Sequence, residues 1–395
     1  MRLYLPVLLL LCLLVACTPD EPIIETGTGP LPGEASVLPA VFGEDFDLSD
    51  PFNYASQDLP DYVRRDNTAG NRLTDLGATL GRVLFYDEKL SANETISCAS
   101  CHRQELAFGD DATASEGVAG LTGRHGMRLT NARFGDEARF FWDERAATLE
   151  AQSTQPIRDH IEMGFSGADG DPTFADLIVR LEATDYYQEL FTAVYGDAAV
   201  TEDRLQRALA QFIRSLQSFD ARYDEGRAQV NNDAAPFPNF TAAENRGKQL
   251  FLGRPDFAGG SRVGGGLGCG ACHQAPEFSI DPNSNNNGVI GSLTGGQDLT
   301  NTRSPSLRDV FLPDGSDNGP FMHTGRFATI NAVINHYNRI PANNANLDRR
   351  LRPGNQPQQL NLTPAERSDL IAFLKTLTGK GIFTDERWGD PFLGR

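Results

Sequence analysis

Two short stretches carry residues whose types and spacing can do chemistry: Cys98-Ala99-Ser100-Cys101-His102 and Cys269-Gly270-Ala271-Cys272-His273. Two thiols one helical turn apart reach the two vinyl groups of a haem, and the histidine that follows supplies the proximal imidazole. Zinc also accepts Cys and His ligands, and thioredoxin-like sites use CxxC. Neither accounts for a histidine in the same place twice in an exported chain. The expectation is two c-type haems, bound through Cys98, Cys101, Cys269 and Cys272, with His102 and His273 on the irons.

Export is read from the amino terminus. A basic residue at position 2 precedes the apolar run Leu5 to Leu14, which is too short to span a bilayer and has the pattern of an export signal. Leu14, Val15 and Ala16 before Cys17 match a bacterial lipoprotein processing site, predicting a signal peptide over 1–17 and a lipid on Cys17; an ordinary signal peptide with an incidental cysteine is the alternative. The chain is thus expected in the periplasm or cell envelope, held to a membrane by its lipid. Thr18 leaves sorting to the outer membrane open. Exported chains ordinarily use their cysteines for disulfides, but of the six here Cys12 leaves with the signal, Cys17 takes the lipid and the motifs use the other four.

These motifs must be positioned by folded elements. At 395 residues and 39% hydrophobic content the chain is long for one domain and rich enough for ordinary cores. Residues 18–60 are rich in Pro, Gly, Asp and Glu without periodicity and read as a tether. Leu76, Leu80, Val83 and Leu84 have helical spacing, so a helix over about 73–86 leads into the first motif. Thr241 and Glu244 form a capping-box pattern that starts a helix toward Phe251 before the second motif. Helix before motif, twice, is an internal repeat. Thr363, Pro364 and Glu366 open a closing helix ended by Gly379, and Thr201 to Phe219 is also helical. The Gly- and Asn-rich run Gly259 to Gly296 reads as loop, and Pro236 and Pro238 suggest a cut near 235. The predicted fold is mainly α: two cytochrome c-like domains, 61–235 and 236–385, each with one covalently bound haem.

With the motifs placed, the chain resembles the dihaem peroxidase family that includes bacterial cytochrome c peroxidase and MauG. The resemblance rests on Arg139-Phe140-Phe141-Trp142-Asp143-Glu144-Arg145-Ala146, Leu149-Glu150-Ala151-Gln152, Pro156 and Ile161-Glu162-Met163-Gly164 in the first half. In the second half it rests on Pro305-Ser306-Leu307-Arg308 and Phe321-Met322-His323-Thr324-Gly325. It implies that hydrogen peroxide meets an open amino-terminal haem and that Glu162 moves a proton between the peroxide oxygens. Taken alone, Glu162 also fits a salt bridge or a helix-start charge. The resemblance further implies that Gln152 and Pro156 line the pocket and that Trp142, which by itself reads as core packing, lies between the haems.

The sixth ligands separate the branches of the family. Ser115 to Gly123 contains no histidine to cap the first iron, which predicts a five-coordinate haem there. His125 stands where the family usually has an asparagine that helps hold calcium; this counts against a calcium ion, to which the carbonyls of Arg303 and Pro305 would still contribute. The alternative is that His125 itself reaches the iron. For the second iron the corresponding residue is Tyr337, with His336 and Met322 as rivals and a hydrogen-bonding role as another reading; a tyrosinate would favour an oxidised state shared between haems. His323 is expected to act as a neighbour of a ligand or of a propionate, and His160 to lie at the surface.

The reading is a dihaem peroxidase in which the His102 haem reduces hydrogen peroxide and the His273 haem receives electrons from a small redox protein. A MauG-like enzyme that oxidises residues of a partner protein is the first alternative, and a non-catalytic dihaem electron carrier the second. The net charge of −18 argues against nucleic acid and favours a basic macromolecular partner. Members of the family are often homodimers, a state on which these residues are silent.

Overall fold

A computed structural model describes residues 35–135, 139–280, 282–303, 305–341 and 343–394. The predicted signal peptide over 1–17, Cys17 and residues 18–34 of the expected tether lie outside them.

The helices are α1 (Leu38–Phe42), α2 (Asp75–Tyr86), α3 (Cys98–Cys101), α4 (Leu149–Ser153), α5 (Gln155–Arg158), α6 (Phe174–Glu182), α7 (Asp185–Tyr195), α8 (Glu202–Ser215), α9 (Arg222–Arg227), α10 (Ala242–Leu252), α11 (Ile330–Asn338) and α12 (Pro364–Lys375). The strands form short antiparallel pairs: β1 (Glu116–Gly117) with β2 (Gly120–Leu121), β3 (Pro255–Ala258) with β4 (Ser261–Gly265), and β5 (His273–Gln274) with β6 (Ser279–Ile280). Strands β4, β5 and β6 fall in the run Gly259 to Gly296 expected to be loop, because backbone pairing over so few residues needs no side-chain periodicity.

Local signals explain the helix starts. Thr74 caps α2 by accepting the Gly77 N–H at 3.1 Å. Thr241 with Glu244 and Thr363 with Glu366 close capping boxes on α10 and α12, as their spacing predicts. The helices then cross in pairs, α2 against α8 and α10 against α12, and in each pair a glycine sits at the crossing. A Cβ on Gly81 would lie 2.0 Å from the Ala208 carbonyl oxygen, and one on Gly247 would lie 1.9 Å from that of Asp369. Both would also meet the Cβ of a buried phenylalanine, Phe212 and Phe373, at 2.8 Å. The repeat inferred from the motifs therefore extends to its closing helices, with α8 playing for the first motif the part that α12 plays for the second.

Two hydrophobic cores result. The first gathers Leu80, Val83, Leu84, Phe85, Leu209 and Phe212; the second gathers Phe251, Phe278, Leu370 and Phe373. Three expectations are corrected here. Residues 35–60 are not tether: Leu38, Phe42 and Tyr54 are buried in the first core, apolar side chains too widely spaced to show local periodicity. The boundary is not near 235, since Tyr223 already packs in the second core. The second half does not end as a unit at 385, because Ile382, Phe383 and Trp388 belong to the first core. Backbone carbonyls hold this returning segment: Tyr54 Oη donates to Arg387 O at 2.6 Å, Tyr86 Oη to Trp388 O at 2.7 Å and Arg82 Nε to Gly389 O at 2.6 Å.

At the start of the second half lies the fully buried guanidinium of Arg308, which donates to both Asp224 oxygens at 2.9 and 2.7 Å and lies over the rings of Phe219 and Tyr223. Tyr62 Oη donates to the same carboxylate at 2.6 Å. Removing one partner of a buried pair strands the other's charge. Asp224→Ala is expected to lower unfolding free energy by about 3–5 kcal/mol in a denaturant titration, whereas Lys380→Ala, which breaks the exposed Lys380–Glu225 pair, should shift it by less than about 1 kcal/mol.

Candidate active site

The first cavity, of about 440 Å³, is lined by Cys98, Cys101, His102, Trp142, Gln152 and Glu162 among others. The second, of about 670 Å³, is lined by Cys269, Cys272, His273 and Tyr337 within a largely apolar wall. Both volumes suit a bound organic group. Each CxxCH segment thus opens onto its own cavity.

The two histidines are set in the same way. His102 Nδ1 donates to the Phe108 carbonyl at 3.3 Å, and His273 Nδ1 donates to the Phe278 carbonyl at 3.3 Å. Such a bond fixes the tautomer and leaves Nε2 as the nitrogen a metal takes. Phe108 and Phe278 both adopt left-handed backbone, φ +57° and +55°, which costs a side-chain-bearing residue energy and turns each carbonyl toward its ring. Burial lowers both imidazole pKa values, that of His273 to about 4, so both rings are neutral as ligands must be. Burial raises the thiols to about 12 for Cys98 and Cys269 and about 11 for Cys101. That is the reverse of the depressed pKa that thioredoxin-type chemistry needs. The donor set and the cavities fit covalently held haem.

Glu162 reaches the first cavity from the turn after α5. Its backbone carbonyl accepts the Val118 N–H at 3.1 Å and its own N–H donates to Asp159 Oδ1 at 3.1 Å, so both faces of its peptide are fixed. Burial, and secondarily the Asp159 carboxylate, raise its pKa to about 7 against the opposing pull of Arg145. Gln152 and Pro156 lie on the same wall.

Trp142 sits at the junction of the halves. Its Nε1 donates to the His125 carbonyl at 2.8 Å, its own carbonyl accepts the N–H groups of Thr302 and Arg303 at 3.0 and 3.2 Å, and its ring stands edge-on to His323 at 6.2 Å. His323 is buried with Nε2 donating to the Gly291 carbonyl at 2.9 Å. His125 is also buried, with Nδ1 donating to the Ala112 carbonyl at 2.8 Å, and it lines the first cavity. His160 is partly exposed and bonds Asp171 at 2.9 Å. Arg303 and Pro305 line the first cavity; among the described residues no three His, Cys, Asp or Glu side chains converge to hold a metal ion.

Of the three rivals at the second cavity, Tyr337 is the one among its described lining residues. Asn287 holds all three in place. Its Nδ2 donates to Tyr337 Oη and to Met322 Sδ, each at 3.3 Å, while its backbone carbonyl accepts from His336 Nε2 at 2.9 Å. Burial pushes the Tyr337 hydroxyl well above the usual phenol pKa.

Sequence reasoning missed Asn287, Arg145 and the two phenylalanine carbonyls. Arg145 was visible inside the quoted run but without a role; it packs over Phe141 at 3.5 Å and bonds Asp143. A phenylalanine six residues after His102 and five after His273 was a readable signal for the carbonyls. Asn287 lay in an Asn-rich run where composition distinguishes nothing.

Known proteins share this chain's sequence pattern and fold. A family model described as di-haem cytochrome c peroxidase matches residues 76–232. The chain is 30% identical over 323 residues to methylamine utilization protein MauG of Methylophilus methylotrophus, covering 78% of this chain and 84% of that protein. It is 28% identical over 319 residues to cytochrome c551 peroxidase of Nitrosomonas europaea, covering 76% and 80%. Among solved structures, a MauG-like protein associated with microbial copper homeostasis superposes with a TM-score of 0.64 at 28% identity, covering 85% of this chain and 99% of that one.

The charges around Glu162 make a signed prediction. Asp159→Asn removes a neighbouring negative charge and should lower the Glu162 pKa, whereas Arg145→Ala should raise it. Infrared titration of the Glu162 carboxyl in the two variants checks both signs.

Proposed function

Because the chain belongs to the di-haem cytochrome c peroxidase family, whose members, MauG among them, are oxidoreductases acting on peroxide, we propose that it reduces hydrogen peroxide in the first cavity with electrons relayed from the second. In this reading Cys98 and Cys101 hold one c-type haem with His102 on its iron, and Cys269 and Cys272 hold the other with His273. A haem held there would supply the iron at which peroxide binds and through which electrons reach it. The observation that carries the proposal is Glu162, a buried carboxyl poised near pH 7 in the same cavity as His102.

A carboxyl with that pKa is partly protonated at neutrality, so it takes a proton from one peroxide oxygen and returns it to the other without a large free-energy step either way. The groups that face it are Asp159, Arg145 and the thiols of Cys98 and Cys101. Gln152 offers an amide to the bound oxidant, Pro156 shapes the wall, and the Trp142 ring gives electrons a polarisable path across the junction. Peroxide leaves as two waters after taking up two electrons and two protons.

Tyr337 favours a second reading. A phenol rather than a thioether in the second cavity, with the Met322 sulfur engaged by Asn287, suits a MauG-like enzyme that draws its electrons from residues of a partner protein. In either case the lipid on Cys17 would hold the enzyme in the cell envelope.

Glu162→Gln is expected to slow the peroxide reaction by roughly two orders of magnitude or more, with haem spectra nearly intact. In the parent, kcat/KM should rise with pH through about 7, where the base form appears. Stability has the opposite sign. The folded pKa exceeds the unfolded value, so the cost of a buried charge grows as pH rises through 7, and Glu162→Gln should unfold at higher temperature than the parent at pH 8 but not at pH 5. An unchanged peroxide rate would remove the proton-transfer role. Electron paramagnetic resonance separates the two readings: the oxidised protein should show one high-spin and one low-spin haem. Rapid loss of both signals with one equivalent of peroxide, abolished in Tyr337→Phe, supports the second reading, and loss only after prior reduction supports the first.

A further inference from the structure

The rim of the second cavity has a charge opposite to that of the whole molecule. Residues 253–266 and 339–360 carry six arginines against two carboxylates, Asp256 and Asp348, in a chain of formal net charge −18. These two segments are joined: Gln359 N donates to Gly260 O at 2.8 Å and Arg262 N donates to Gln359 O at 2.8 Å, so the β3–β4 hairpin and the 339–360 segment form one surface. Two of the arginines are committed. Arg262 pairs with Glu366 at 2.6 Å, and Arg350 pairs with Asp348 at 2.7 Å and donates to the Ala271 carbonyl between the second pair of cysteines. Arg254, Arg339, Arg349 and Arg352 have no carboxylate partner among the described residues, and Arg254 and Arg349 both line the cavity mouth while standing exposed.

We propose that this arginine rim is the docking surface for an acidic redox protein that exchanges electrons with the second cavity. The proposal rests on the reading that electrons pass there, and adds the sign and place of the partner's surface. It departs from the expectation of a basic partner drawn from total charge. Fields of exposed charges are screened within about 8 Å at physiological ionic strength, so an approaching protein meets the local rim rather than the sum over the chain. Guanidinium groups without a carboxylate partner donate bidentately to incoming carboxylates, and such complementarity speeds and orients encounter more than it tightens the complex.

The test uses the holoprotein with two reduced donors, a small acidic cupredoxin and a small basic cytochrome c, and with a small-molecule dye as a donor that needs no docking. The acidic donor should have the higher kcat/KM at low salt, falling roughly tenfold or more as salt is raised. Arg349→Glu with Arg352→Glu should reverse the preference between donors, and Lys at both positions should retain it. Preference for the basic donor in the parent, or no change on charge reversal, overturns the proposal. So does a shift in the second haem's midpoint potential that accounts for the loss with dye and protein donors alike, since the arginines would then serve the haem's own carboxylates. Failure of dye-driven peroxide turnover would count against the peroxidase reading instead, and salt-dependent binding of the acidic donor, measured calorimetrically, would still decide the docking surface.

Discussion

Each half of the molecule depends on two helix backbones meeting with nothing larger than hydrogen between them. At Gly81 and at Gly247 a methyl group would collide with a main-chain carbonyl oxygen across the crossing. Because α2 and α10 lead into the CxxCH segments, this contact sets where the thiols begin, and because α8 and α12 carry Phe212 and Phe373, it also sets the depth of each core. The cavities are what remains when two such crossings are walled by loops. Loops can vary freely around them, which is how one architecture holds a polar cavity with a carboxyl and a mostly apolar one with a phenol.

Burial then does the electrostatic work. It keeps thiols and imidazoles neutral and brings one carboxyl to the pH at which proton transfer runs in both directions. None of this needs an unusual residue. It needs a dry wall, with the few polar groups held by main-chain partners: Nδ1 of each histidine on a carbonyl and Trp142 on the His125 carbonyl. Main-chain anchors cannot be altered one at a time by substitution, so the geometry they fix is robust to drift in side chains.

Much of the helical frame was legible, α2 from the spacing of Leu76, Leu80, Val83 and Leu84, and α10 and α12 from the capping boxes at Thr241 and Thr363. The motif residues were legible because their chemistry is written in their spacing. What escaped was long-range. Leu38, Phe42 and Tyr54 look like chance apolar residues in a polar stretch until Tyr186, Phe392 and Asp75 are beside them. The roles of Asn287 and of the carbonyls of Phe108 and Phe278 depend on tertiary placement, and a main-chain oxygen has no letter in a sequence. Whole-chain charge likewise says nothing of its own distribution, because the arginines of 339–352 are diluted by acids elsewhere.

The returning segment, residues 382–393, has a consequence for how the molecule is made. It completes the wall of the first core, with Trp388 and Phe392 packed where Tyr86 and Phe42 wait. The first motif precedes that wall by hundreds of residues in the chain, so the half that surrounds it cannot complete its core until nearly the whole chain is present. The first half is the last to close. A chain cut between the halves would yield a first half lacking its final layer, and single-haem fragments divided near residue 220 would have to be supplied with the segment in trans.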